Sequence, residues 1–226
     1  MEGYSETFTY SEYVTYSPTM LSGVDAVKSR REQYAEQTRQ ALLEAGAAAF
    51  AKHGFTATSI TDIAAAARVT KGAVYHHFPD KRALFEAVLK QCDEAAQSEV
   101  FEAVAKHPDD LWRGVLAALD ATLDACSDPI VGRLIYVEGP VALGWTRWRE
   151  CEDQYIYRNI RQLLNTAVQG GMYPASLPID AMSQLMTGMI THAGIALAEA
   201  PPPKRKKLRR EISTAIQLLL DGLRTS

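Results

Sequence analysis

Within the segment TKGAVYHHF, residues 70–78, Val74 and Phe78 stand four apart and share an inward stripe with Val69 and Ala73. That spacing turns Lys71, Gly72, Tyr75 and His76 to the opposite face, offering a cation, a backbone without a side chain, a phenol and an imidazole. Together they suit noncovalent contact with a nucleic-acid groove. There, donors meet phosphate oxygens and base edges, and a bare backbone permits close approach. The same face also fits a short solvated helix, because short helix pairs are common.

Two helices and a tight turn position these groups. Thr70 reads as the N-cap of the second helix, which Pro79 ends by pushing Phe78 out of the helical region. Ser59 with Asp62 three residues on is a capping-box-like start for the first, where Ile60, Ile63, Ala64 and Ala67 recur at helical spacing. The alanines leave room for a second helix to cross closely, which is the grammar of a helix-turn-helix DNA reader. Asp80 caps the next helix, but Lys81 and Arg82 fall in its first turn, where the dipole disfavours a cation by roughly 0.3–1 kcal/mol each. Local violations of this kind mark functional sites, and beside free backbone N–H groups the pair reads as a phosphate clamp.

From about residue 38 to residue 88 the chain runs LLEAGAAAFAKHGF, TSITDIAAAA, TKGAVYHHF and DKRALFEAV in order, and this stretch resembles the TetR family of bacterial transcription regulators. The remainder resembles the family in its helical layout, with RLIYVEGPVALGWTRWRE similar to the ligand-domain region of some members. The resemblance implies that Ser59 and Thr61 sit at the start of the supporting helix and that Lys71 and Gly72 lead the recognition helix behind its cap Thr70. It further implies that Tyr75 and His76 follow on the outer face and that Lys81 grips phosphate. One departure is Arg68, at a turn position where such motifs often carry glycine. A left-handed backbone there costs a residue with a side chain roughly 1–2 kcal/mol.

Length and composition agree with an all-α regulator. The 226 residues suit one long or two small domains, 47% of them are hydrophobic, and no apolar run is long enough to span a membrane. The N-terminus lacks the pattern of a signal peptide, so the expected compartment is the cytoplasm. Cys92, Cys126 and Cys151 are scattered and lack metal-ligand spacing, and His76 and His77 point to different helix faces, so neither metal nor cofactor is predicted. A Gly-rich phosphate loop, a His-Glu-x-x-His and a nucleophile in a recognisable setting are all missing, and the sequence does not read as an enzyme.

Residues 28–93 hold ten Lys/Arg against seven Asp/Glu, a balance of +3 in a chain whose net charge is −3. That asymmetry fits a module touching phosphate with one end only. Lys28, Arg30 and Arg31 fit equally a basic arm on DNA and an ordinary solvated helix start. Residues 1–27 carry Glu2, Glu6, Glu12 and Asp25 with no Lys or Arg and read as a disordered acidic extension.

The expected architecture is a helix-turn-helix domain over 28–80 followed by a larger helical ligand-binding and dimerisation domain over 81–226. Its first helix, 81–106, links the two as a lever. Ahead of the reader, a helix over 32–53 turns Leu42, Ala45, Ala49 and Phe50 inward and stops at Gly54. Two last helices, 180–198 and 204–224, are apolar on more than one side, and the resemblance implies that they pair with their copies in a homodimer. Between them PPPKRKKLRR reads as a rigid linker and solvated helix start.

Trp112, Tyr136, Trp145, Trp148, Tyr155, Met182, Met186 and His192 are candidates to line a cavity for a lipophilic small molecule, and each equally fits a plain core. The resulting expectation is a dimeric repressor that reads a palindromic operator on double-stranded DNA and is released by a small, largely apolar effector. The alternative is a helical ligand carrier or enzyme that keeps the helix-turn-helix as scaffold.

Overall fold

The computed structural model describes residues 29–224; the acidic extension expected over 1–27 lies outside the described residues. Among the described residues every regular element is helical. Helix α1, Arg30–His53, opens on a capping box that the sequence reading overlooked: Ser29 Oγ accepts from Glu32 N at 3.3 Å and the Glu32 carboxylate accepts from Ser29 N at 2.7 Å. It ends at Gly54, whose φ of 81° is the left-handed value that glycine adopts without strain. Helices α2, Ile60–Ala66, and α3, Lys71–His77, follow. Leu42, Phe50, Ile63, Val74, Leu84 and Phe85 from α1 to α4 are essentially inaccessible and form their common core, with Phe55 stacked at the edge of Phe85.

Helix α4, Lys81–Ala105, begins in this core and leaves it, pairing extensively with α5, Leu111–Ser127. The chain then departs from the simple helices expected. A π-helical segment, Arg133–Glu138, runs into the short α6, Gly139–Leu143. Helix α7, Trp145–Glu152, passes through a second π-helical segment, Asp153–Tyr157, into α8, Arg158–Gln169. Wide turns of this kind shift side chains off the 3.6-residue register and recur at functional sites.

Helices α9, Ile179–Glu199, and α10, Pro202–Asp221, complete the fold. The triple proline is not a linker here. Pro202 and Pro203 form the first turn of α10, where a missing N–H costs nothing. The basic cluster after it is partly turned inward: Arg205 donates to the carbonyls of Ala198 and Ala200, and Arg209 pairs with Asp120 at 3.1 Å and Asp124 at 2.8 Å on α5. Gly194 on α9 makes room within the protein, since a Cβ there would lie 2.4 Å from the Tyr136 ring.

Candidate nucleic-acid interface and ligand cavity

The α2–α3 pair is built from local hydrogen bonds. Ser59 Oγ accepts from Asp62 N at 3.2 Å and donates to its carboxylate at 2.6 Å, while Thr70 Oγ1 accepts from Ala73 N at 3.2 Å. Both hydroxyls therefore hold helix starts. The turn closes as a Schellman motif: Val69 N donates to Ala64 O and Arg68 N to Ala65 O. Arg68 takes φ 57°, the only positive φ of a non-glycine among the described residues, as its place in the turn implied.

Thr61, Lys71, Gly72, Tyr75 and His76 are all exposed on one side of the pair. Lys71 Nζ sits 5.9 Å from the centre of the Tyr75 ring, so cation and phenol travel together. A Cβ at Gly72 would meet nothing nearer than Thr70 Oγ1 at 3.8 Å, so packing inside the protein does not demand glycine. Glycine in a helix costs about 1 kcal/mol relative to alanine, and the space it leaves opens outward.

Lys81 and Arg82 have partners within the protein. Lys81 Nζ donates to the carbonyls of Phe55 at 2.8 Å, Thr58 at 2.9 Å and Thr56 at 3.4 Å, and lies 4.4 Å from the centre of the Phe55 ring. Arg82 Nη2 donates to Leu143 O at 2.6 Å. The conflict between cation and helix dipole is thus answered by protein carbonyls. Lys81 braces the α1–α2 loop, a role beside the expected phosphate contact, and its partners lie too far away in sequence for spacing to reveal them.

A contact that sequence reasoning missed joins the reader to the rest. Glu138, buried at the end of the first π-helical segment, accepts the Phe55 N–H at 2.8 Å and pairs with Arg133 at 3.1 Å. Its oxygens lie where a Cβ on Gly54 would come within 3.2 Å. Arg147 on α7 pairs with Glu86 on α4 and Leu143 O accepts from Arg82, so residues 133–147 hold the reader at Phe55 and the start of α4 at two further places. The available signal was a single carboxylate inside the apolar run LIYVEGPVAL.

Behind this segment lies a cavity of about 150 Å³, walled by α4, α5, α8, α9, α10 and both π-helical segments. Of the eight residues expected there, Tyr136, Tyr155 and Met186 line it. The other five do not. Trp148 is wholly buried against Gly139, Trp145 is 61% exposed, Trp112 carries Arg224 over its ring, Met182 packs at the core's edge, and His192 faces out. Helical spacing identified a stripe in each case but not which neighbour would cover it. Missed altogether were Asp93, Gln97 and Val100 on α4, where a carboxylate and an amide argued against a buried face.

The cavity's chemistry is apolar with one polar end. Cys126 Sγ donates to Tyr136 Oη at 3.3 Å, and burial pushes the thiol up to about 11 and the phenol well above its usual range. Burial also raises the Asp93 carboxyl well above ordinary carboxylates, with further push from Glu152 and Glu94. Glu152, buried on α7 and hydrogen-bonded by Thr191, is raised to about 7, chiefly by burial.

A helix-turn-helix reader tied to a larger helical body is the architecture of a transcriptional regulator. Residues 42–88 match the model of bacterial regulatory proteins of the tetR family, and residues 112–223 match the Tetracyclin repressor-like C-terminal domain. The HTH-type transcriptional regulator SrpR of Pseudomonas putida is 30% identical over 160 residues, 70% of this chain and 73% of its own length. The regulator AcrR of Shigella flexneri is 27% identical over 201 residues, 85% of this chain and 92% of its length. Among solved structures, a TetR-family transcriptional regulator from Pectobacterium atrosepticum superposes with a TM-score of 0.71 at 26% identity, covering 88% of this chain and 99% of that one. The chain belongs to the TetR family.

Proposed function

We propose that the protein is a dimeric repressor whose exposed Thr61, Lys71, Gly72, Tyr75 and His76 read a half-site of a palindromic operator, and that a small molecule with a largely apolar body releases it. One observation carries this reading: a single π-helical segment presents Tyr136 to the cavity and, two residues on, Glu138 to the Phe55 N–H of the reader. A ligand that moves Tyr136 acts on the same rigid segment that fixes the loop before α2. In this reading the reader spans 28–80 and the ligand and dimerisation domain 81–226, with α4 as the lever, in a protein of the cytoplasm. No helix among the described residues is long and apolar enough to cross a membrane.

Dimerisation is supported by the outer faces of α9 and α10. Leu185, Leu218 and Leu219 are exposed to 66%, 70% and 57%, on the two helices that the resemblance assigns to pairing. Two readers held by a two-fold axis address half-sites about 34–36 Å apart, which gives a small module its specificity. The test is Tyr75→Ala. It removes an exposed phenol, leaves the helix core intact, and is expected to weaken binding to the operator about tenfold or more. Wild-type affinity in that variant contradicts the assignment of the reading face.

A further inference from the structure

The polar end of the cavity has a feature that an apolar effector does not use. Asp93, Ala96, Gln97 and Val100 follow one another at helical spacing along the cavity-facing stripe of α4, so the wall passes from carboxylate and amide to hydrocarbon. Gln97 Nε2 donates to Asn159 Oδ1 at 3.2 Å and is thereby fixed. Asp93, half-buried at the cavity wall, accepts no hydrogen bond and meets no cation among the described residues. The titratable groups around it are the carboxylates of Glu94 on its own helix and Glu152 on α7, the thiols of Cys92 and Cys151, and the phenols of Tyr136 and Tyr155. The two arginines of α7 are engaged elsewhere, Arg147 with Glu86 and Glu150 and Arg149 with Asp153.

Ionised and without a partner in such a place, a carboxylate costs several kcal/mol and like charges beside it deepen the penalty, which is why Asp93 holds its proton more tightly than usual until a cation is supplied. Nothing in the reading of DNA or in the packing of α4 calls for it: the alanine and valine on the same stripe fill the same wall without charge. We propose that Asp93 is the anchor for a positively charged amine on the effector, whose hydrocarbon body lies along α4 toward Val100, Leu119 and Leu163. The missing partner is brought by the ligand. An anionic head group finds no cation beside Asp93 to pair with, and a neutral one gains at most a single hydrogen bond. This rests on the cavity being the effector site, and it adds the effector's chemical class.

The experiment is calorimetric titration of the full chain with octylammonium, octanol and octanoate, which share one tail and differ in head charge. Octylammonium is expected to bind about tenfold or more tighter than octanol, the worth of one charge-assisted hydrogen bond, with octanoate weakest. In Asp93→Asn the ammonium is expected to fall to the affinity of the alcohol, while octanol binds as in the wild type and shows the cavity intact. Equal binding of ammonium and alcohol in the wild type, an unchanged preference in Asp93→Asn, or binding of none of the three overturns the proposal. A parallel measurement of DNA release separates it from the effector reading. Asp93-dependent ammonium binding that leaves DNA occupancy unchanged contradicts the effector role and not the anchor, whereas release by octanol and octylammonium alike contradicts the anchor and not the role.

Discussion

At the residue scale, Lys81 shows how a charge can be committed to geometry. Its ammonium joins three carbonyls of the α1–α2 loop that would otherwise face one another without donors. Lys81→Met is expected to lower stability by about 1–3 kcal/mol in urea denaturation, the cost of orphaned acceptors in a partly buried site. Arg68→Gly is expected to raise it by up to about 1 kcal/mol, because glycine holds the positive φ of the turn without strain but adds freedom to the unfolded chain. Glu152 sets a pH dependence. The folded carboxyl keeps its proton up to about pH 7 and the unfolded one releases it near 4.5, so between those values the folded state binds more protons. Its contribution is therefore most favourable below 4.5 and falls by about 3 kcal/mol as pH rises to 7, a slope that Glu152→Gln should remove from the wild-type curve. The caps at Ser59, Thr70 and Asp80 were legible in the sequence because donor and acceptor lie three residues apart. The brace at Lys81 was not, because its carbonyls lie 23 to 26 residues away.

At the scale of elements, the stretch 133–147 has two faces that belong to two functions. Tyr136 needs the gap opposite Gly194, while Glu138 holds the reader at Phe55 and Leu143 and Arg147 hold the start of α4. Gly194→Ala should force the Tyr136 ring aside and destabilise the fold by about 1–3 kcal/mol, the usual cost of overpacking, measurable by thermal denaturation. Glu138→Gln keeps an acceptor for the Phe55 N–H but removes the charge that pairs with Arg133. The expected result is DNA binding near that of the wild type with a weakened response to ligand, and unchanged release in this variant contradicts the coupling route. Helix ends marked by Gly54 and Pro79 could be read directly, since backbone chemistry is local. The aromatic residues over 145–148 could not be assigned, because the chain breaks at Gly144, φ 77°, and the short α7 after it starts a new register whose facing neighbours lie far away in sequence. Trp148 accordingly enters the core and Trp145 faces water.

At the scale of the molecule, the excess of positive charge over residues 28–93 in an otherwise negative chain directs one end to DNA. In the proposed dimer the exposed leucines of α9 and α10 are the faces by which two copies orient their readers. Leu218→Glu with Leu219→Glu is expected to give a monomer in sedimentation and to weaken operator binding, since one reader then acts alone. The most direct measurement is equilibrium binding of the purified chain to DNA fragments from around its own coding region, with competitor DNA at near-physiological salt. A protected palindrome, with half-sites about one helical turn apart and its protection lost in Tyr75→Ala, is the predicted result. Uniform binding to every fragment, or protection that Tyr75→Ala leaves intact, contradicts the account.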